Sequence, residues 1–213
     1  MRPVRLLPLL VLSLAAECAG EPPSDDRSGR SGADPDPQLV FWAAMEDLCG
    51  LSYAGVVTEN VPPDASFLGQ ELVMHVRDCE TGLIRIPFFV GDDRSRTWVI
   101  SSTAAGMRLK HDHRHEDGSE DAVTQYGGDT AGQGTATVQD FHADAYTADL
   151  VPTAATNIWS IEIEPGRLFA YALRREGSDR RFRIEFDLTR PIDTPPGKVS
   201  GTSAANPRTK EPL

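Results

Sequence analysis

The stretch NIWSIEIEPGRLFAYALRREGSDRRFRIEFDL, residues 157–188, decides the fold class. Apolar and polar side chains alternate along it, so that Trp159, Ile161 and Ile163 share one face of its first run. A repeat of two residues is typical of an extended strand with one buried face. A Pro-Gly and a Gly-Ser dipeptide separate three such runs, and tight turns of this kind join antiparallel neighbours. The stretch therefore predicts an antiparallel meander.

The same alternation continues towards the N-terminus. We predict strands at residues 53–59, 71–79, 83–90, 97–103, 107–113, 122–126, 134–140, 157–164, 167–174 and 180–188. No second helix of convincing length interrupts this series, which disfavours a parallel sheet with crossover helices. The fold class is mainly β, an antiparallel meander that closes into a β-barrel of roughly eight to ten strands, because closure removes exposed edges. A β-sandwich is the alternative.

One helix precedes the strands. Asp36 is suited to its N-cap, Pro37 to its first turn and Gly50 to the position just after its end. The intervening residues 39–48 are mostly apolar. We expect this helix to pack on the sheet or to plug one end of the barrel.

The first 18 residues have the pattern of a signal peptide. Arg2 and Arg5 precede an apolar run over residues 6–16 that is too short to span a bilayer. Cys18 follows, as in a bacterial lipoprotein signal, although Glu17 stands where a small residue is expected. Lipidation of Cys18 and ordinary cleavage nearby both remain open.

Two polar segments flank the body of the chain. Residues 19–36 and 191–213 are rich in Pro, Ser, Gly and charged residues. Segments of this composition bury too little apolar surface to offset the conformational entropy that folding would remove. We predict a disordered linker and a disordered tail around a single β-rich domain at residues 37–190.

Cysteine usage agrees with export. Of the three cysteines, Cys49 and Cys79 remain as an even pair once Cys18 is lipidated or removed. A disulfide between them is permitted in an oxidising compartment and would contribute about 3 kcal/mol; two buried free thiols are the alternative. The expected location is the periplasm, the outer membrane through an anchor, or the extracellular space.

The charge limits the possible partners. The chain of 213 residues has 21 Lys and Arg against 32 Asp and Glu, a formal net charge of −11. This excess of negative charge argues against binding to nucleic acid and against docking on anionic lipid, because both surfaces are themselves negatively charged. Membrane contact is then expected only through the signal or a lipid anchor, and a small molecule or an envelope component is the expected partner.

The densest chemistry lies in MRLKHDHRHEDGSEDAVTQYGGD, residues 107–129. In a strand, His111, His113 and His115 point the same way as the apolar side chains before them, so that His111 lies near a core or cavity and His115 near the rim. Neutral imidazoles bind divalent transition metals, which makes these three the candidate metal ligands. The alternative is a solvated hairpin whose charges pair across strands.

Further pocket candidates lie in the preceding hairpin loop, residues 91–98, and at Tyr126. Arg94 and Arg96, just before Trp98, could clamp an anion, or they could pair with the acidic residues of the same loop. Trp98 itself and Tyr126 complete the set of six pocket candidates with His111, His113 and these two arginines.

Five runs resemble a family of uncharacterised exported bacterial proteins, secreted or lipoprotein. They are LVMHVRDC (72–79), IRIPFFVGDDRSRTW (84–98), LKHDHRHEDGSEDAVTQYGGDT (109–130), NIWSIEI (157–163) and YALRREGSDRRFRIEFDLTRP (171–191). The resemblance covers most of residues 37–191. It implies export and a single domain, and it brings no activity, substrate, cofactor or catalytic residue with it.

Motifs for catalysis are missing from the sequence. It contains no nucleophile elbow, P-loop, zinc-protease helix motif or dinucleotide fingerprint. We therefore expect an exported small-molecule- or envelope-binding β-barrel without catalytic activity. The alternative is a metal-dependent enzyme that uses the strand with His111, His113 and His115.

Overall fold

The structure, a computed structural model, describes residues 35–196. The predicted signal peptide, the lipidation of Cys18, the linker up to residue 34 and the tail from residue 197 lie outside the described residues. Within the described range, no helix is long and apolar enough to cross a membrane.

Strands dominate the described chain. In order, the elements are α1 (Pro37–Glu46), β1 (Ser52–Val61), β2 (Leu72–His75), β3 (Asp78–Glu80), β4 (Leu83–Val90), β5 (Asp93–Thr103), β6 (Gly106–His113), β7 (Tyr126–Thr130), β8 (Val138–Ala143), α2 (Ala145–Leu150), β9 (Asn157–Glu164), β10 (Leu168–Arg175) and β11 (Arg181–Ile192). Short 3₁₀ turns occupy Ala65–Phe67 and Pro152–Ala154.

Ten of these strands form a closed antiparallel barrel. Neighbours run in the order β2, β1, β11, β10, β9, β8, β7, β6, β5, β4, and β2 then pairs with β4 to complete the ring. The third strand, β3, pairs with β4 outside the ring. The predicted barrel is confirmed over the alternative sandwich.

Helix α1 closes one end of the barrel. Its fully buried Phe41 and Met45 belong to the same core cluster as the inward side chains of the strands. Gln38 anchors it there, because its Nε2 donates to Thr130 Oγ1 at 3.2 Å and to the carbonyl oxygen of Gly132 at 3.1 Å. This is the end at which the β5–β6 and β7–β8 connections lie, so the opposite end is the mouth.

The start of α1 follows the sequence prediction, and its end does not. Asp36 is the N-cap, since its carboxylate accepts from the backbone N–H of Gln38 at 2.8 Å. The helix stops at Glu46, earlier than Gly50 suggested, and a turn follows. Gly50 still adopts the positive φ, +83°, that favours glycine after a helix.

Several predicted strands require correction. The predicted strand 71–79 is two short strands, β2 and β3, which both pair with β4 and are separated by Val76 and Arg77. The fifth strand begins at Asp93 rather than residue 97, so most of the supposed loop is strand. The predicted strands at 122–126 and 134–140 are displaced towards the C-terminus, to β7 and β8.

Helix α2 and the length of the last strand were not expected from the sequence. The short helix α2 has only six residues, too few for a helical period to be visible. Its N-cap, Asp144, accepts from the N–H of Thr147 at 2.9 Å. Strand β11 continues to Ile192, where it pairs with Ser52, so the predicted tail begins later than residue 191.

The predicted disulfide between Cys49 and Cys79 is present, with a Cα–Cα distance of 6.2 Å. It ties the turn after α1 to β3, two parts of the chain that are 30 residues apart. The bond is compatible with an exported protein.

Removing this disulfide is expected to destabilise the barrel. The double variant Cys49→Ser/Cys79→Ser should lose about 3 kcal/mol of unfolding free energy. The reason is that the disulfide lowers the conformational entropy of the unfolded chain, and the variant lacks this constraint. Denaturant titration with and without reductant measures this. Reductant should destabilise the parent protein and leave the double variant unchanged; equal stability of parent and variant would contradict the expectation.

Candidate ligand-binding site

The barrel is filled at the α1 end and hollow at the mouth. The fully buried side chains of the core cluster that do not line the cavity include Ile84, Ile100, Ile161, Phe169 and Ile184. Towards the mouth the strands enclose a cavity of about 500 Å³. Small-molecule sites in proteins have volumes in this range.

Three stacked aromatic rings form the floor of the cavity. The indole of Trp98 lies between Phe88, with ring centroids 4.7 Å apart, and Tyr171, at 4.4 Å, and both pairs are within 13° of parallel. Trp98 is on β5 and Tyr171 is on β10, and four strands separate these two in the sheet order. Their contact therefore crosses the lumen and divides the packed half from the hollow half.

His111 joins the opposite walls at the same level. Its Nδ1 lies 3.0 Å from the backbone carbonyl oxygen of Tyr126, and its Nε2 lies 2.8 Å from the hydroxyl of Tyr171. A carbonyl oxygen only accepts, so Nδ1 carries the proton, and the Tyr171 hydroxyl donates to Nε2. Both nitrogens are thus engaged within the protein.

Burial sets the protonation of the floor. It lowers the pKa of His111 to about 3, with smaller contributions from the charges of His113 and Lys110. Burial also raises the pKa of Tyr171 well above that of a free phenol and the pKa of Tyr126 to about 12. At neutral pH the floor is uncharged and apolar, with its polar atoms paired to each other.

Tyr126 and His113 form one side of the cavity above the floor. The Tyr126 ring stacks on His111 with centroids 4.5 Å apart, and its hydroxyl lies 3.2 Å from His113 Nε2. Burial, followed by the nearby charge of Arg96, lowers the pKa of His113. Both histidines face inward, as the alternation along β6 predicts.

The structure does not bring the three candidate metal ligands together. His115 lies beyond the end of β6 and is exposed, with its backbone N–H bonded to the carbonyl oxygen of Ser119. His111 has no free nitrogen. Between residues 35 and 196, no group of three or more His, Cys, Asp or Glu side chains has the arrangement to hold a metal ion.

The two arginines of the supposed anion clamp diverge. Arg96 lines the cavity and forms an ion pair with Asp93, which is the internal pairing that the sequence left open. Arg94 lies over the ring of Phe89, 4.4 Å from its centroid, and bonds to the carbonyl oxygen of Gly91. It is not part of the cavity lining. Of the six pocket candidates, all except Arg94 line the cavity.

Sequence reasoning missed part of the lining. Arg175 and Arg180 lie at the mouth, on either side of the β10–β11 turn, and Arg175 Nε donates to Asn157 Oδ1 at 2.8 Å. Further missed residues are Phe67, Trp159, Tyr171, Leu173 and Phe182. A signal existed in β10, because Arg175 continues the face on which the preceding inward apolar residues lie.

Comparison with protein-family models, curated proteins and solved structures finds no match to this chain. The site is therefore interpreted from its own geometry.

The buried histidine predicts a pH dependence of stability. An unfolded imidazole titrates near 6.5, whereas His111 in the folded protein titrates at about 3. As the pH falls through this window the unfolded chain binds one more proton, so acid removes stability by up to about 1.4 kcal/mol per pH unit.

Replacing His111 with Gln tests this expectation, because the amide can donate to the Tyr126 carbonyl and accept from the Tyr171 hydroxyl without titrating. Between about pH 6 and pH 4, the unfolding free energy of the parent should fall more steeply than that of His111→Gln. Denaturant titrations at each pH give the two profiles of unfolding free energy. If the profiles of parent and variant are parallel, His111 does not titrate in this way.

Proposed function

We propose that the protein is an exported binding protein that holds a small, largely apolar molecule in the mouth of its barrel. The observation that carries the proposal is the cavity of about 500 Å³ above a floor of stacked rings. Barrels of this size either fill their interior with side chains or leave room for one small ligand. Here the interior is filled only as far as Trp98.

The surroundings of the cavity support binding of an apolar ring system. Aromatic side chains come from the first 3₁₀ turn and six strands; the set is Phe67, Phe88, Trp98, Tyr126, Trp159, Tyr171 and Phe182. Aromatic walls provide large contact areas at low entropic cost, and flat faces favour stacking with flat ligands. The cavity opens at one end, which gives a ligand a direct path.

The polar atoms of the floor favour binding over catalysis. His111, Tyr171 and Tyr126 are hydrogen-bonded to each other, to backbone or to His113. A general base needs a nitrogen or oxygen within reach of the substrate, and His111 has both nitrogens occupied.

Export is part of the same proposal. It rests on the signal pattern of residues 1–18, the resemblance to exported proteins and the compatibility of the Cys49–Cys79 disulfide with an oxidising compartment. The periplasm, an anchored position at the outer membrane and the extracellular space are all consistent with it.

A neutral fluorescent probe tests the binding site. Phenylnaphthylamine should bind one molecule per chain, and Leu173→Trp should weaken binding at least about tenfold, because the larger ring occupies the space between Tyr171 and the mouth. Titration of probe fluorescence gives the dissociation constant.

Leu168→Trp is the matched control, since Leu168 lies on the same strand but on its outward face and outside the cavity lining. It should bind the probe like the parent. Absence of binding to the parent, or equal weakening by both variants, would refute the proposed function.

A further inference from the structure

We infer that the ligand is a small amphipathic anion, with its apolar rings on the aromatic floor and its negative group at Arg175 and Arg180. This inference rests on the proposed binding function and adds the chemical class of the ligand. It commits to one orientation, with the apolar end inward and the charged end at the mouth.

The pairing of arginines in the described chain is the first observation. Thirteen arginines lie between residues 35 and 196, and ten of them form ion pairs with described carboxylates. The three exceptions are Arg94, Arg175 and Arg180. Arg94 rests on Phe89 outside the cavity. In a chain with a net charge of −11, the other two exceptions both line the cavity mouth.

Arg175 and Arg180 are adjacent in space. The backbone N–H of Arg175 donates to the carbonyl oxygen of Arg180 at 3.3 Å, across the base of the β10–β11 turn. The only side-chain partner of Arg175 within the described residues is the neutral amide of Asn157. A guanidinium has five N–H donors and binds planar oxyanions in a forked geometry, so this pair retains donors for an anionic group.

The acidic side chains at the mouth are held by their own loops. Asp64 accepts from the N–H and the hydroxyl of Ser66, at 3.0 and 2.6 Å, and Asp121 accepts from the N–H of Val123 at 2.8 Å. The Ser66 hydrogen bonds, with the charges of Arg180 and Arg96, lower the pKa of Asp64. Asp64 thus lies within the field of Arg180 without forming an ion pair with it.

The floor determines which end of a ligand enters first. Within residues 35–196, no buried side-chain nitrogen or oxygen lacks a hydrogen-bond partner. A polar group pushed to the floor would lose its water and find no partner there, which costs free energy. An amphipathic anion avoids this loss when its rings contact Trp98 and its charge stays at the arginines.

Two probes with related ring systems separate charge from apolar contact. Anilinonaphthalene sulfonate carries a negative group, and phenylnaphthylamine is neutral. The parent protein should bind the sulfonate more tightly than the neutral probe. Added salt should lower the affinity for the sulfonate and leave the affinity for the neutral probe unchanged, because salt screens charge. Inorganic phosphate at the same concentration should not displace the sulfonate, since a free anion lacks the apolar body.

The variant pair uses two faces of one hairpin. Arg175→Met/Arg180→Met removes the two charges at the mouth, whereas Arg174→Met/Arg181→Met removes two charges from the outward face, where these residues pair with Asp140 and Glu59. The inward variant should lose about tenfold to a hundredfold in affinity for the sulfonate and bind the neutral probe as before. The outward variant should bind both probes like the parent.

The outcomes separate the two proposals. One outcome is that the neutral probe binds and the affinity for the sulfonate falls equally in both double variants, or in neither. In that case the anionic ligand class is wrong and the binding function stands. If phosphate alone displaces the sulfonate, the site recognises a free anion and the inference is again wrong. If neither probe binds the parent protein, the binding function fails and the inference fails with it.

Discussion

The pairing of β2 with β4 is the constraint on which the rest of the structure depends. Three residue pairs make this junction: Leu72 with Val90, Val73 with Phe89, and Met74 with Phe88. Without it the sheet would be an open strip with two exposed edges, and alternation would define two faces but no interior. With it, every inward side chain faces a common lumen. Phe88, at the junction itself, begins the stack of rings that forms the floor.

The lumen is divided because its opposite walls contact each other at one level. Trp98 and His111, from adjacent strands, both reach Tyr171 on the far wall, one by ring stacking and the other by a hydrogen bond. Below this level apolar side chains of the strands and α1 fill the space. Above it lies the cavity, which is lined by aromatic side chains and, at its mouth, by Arg175 and Arg180. The cavity is therefore a consequence of where side chains meet across the barrel.

The sequence predicted the strands that alternate cleanly. Residues 83–90 and 157–164 form strands with the predicted bounds, because buried apolar side chains dominate one face of each. The strand β7 was misplaced: the predicted strand at residues 122–126 ends just before Gly127-Gly128, a dipeptide that is also typical of a turn. These glycines lie inside the strand instead, since a Cβ on Gly128 would collide with the carbonyl oxygen of His142. Glycine here permits close approach of two backbones, which composition alone does not distinguish from a turn.

The candidate site was predicted in part for a similar reason. Alternation along β6 placed His111 and His113 on the inward face, and their neighbours Trp98 and Tyr126 also line the cavity. The sequence could not show that both ring nitrogens of His111 are hydrogen-bonded, one to Tyr126 and one to Tyr171. These contacts depend on which strands are neighbours and which face each other across the barrel. It also could not show that Arg175 meets Arg180, which depends on the β10–β11 register.

Native-state hydrogen exchange of the β2 backbone tests the closed barrel most directly. Amides of Leu72–His75 point alternately towards β1 and β4, so a closed ring protects all of those that face either neighbour. The account predicts that amides of β2 and β4 facing their shared junction exchange as slowly as those between β9 and β10. Rapid exchange confined to the amides at that junction would contradict closure, and the enclosed cavity would no longer follow.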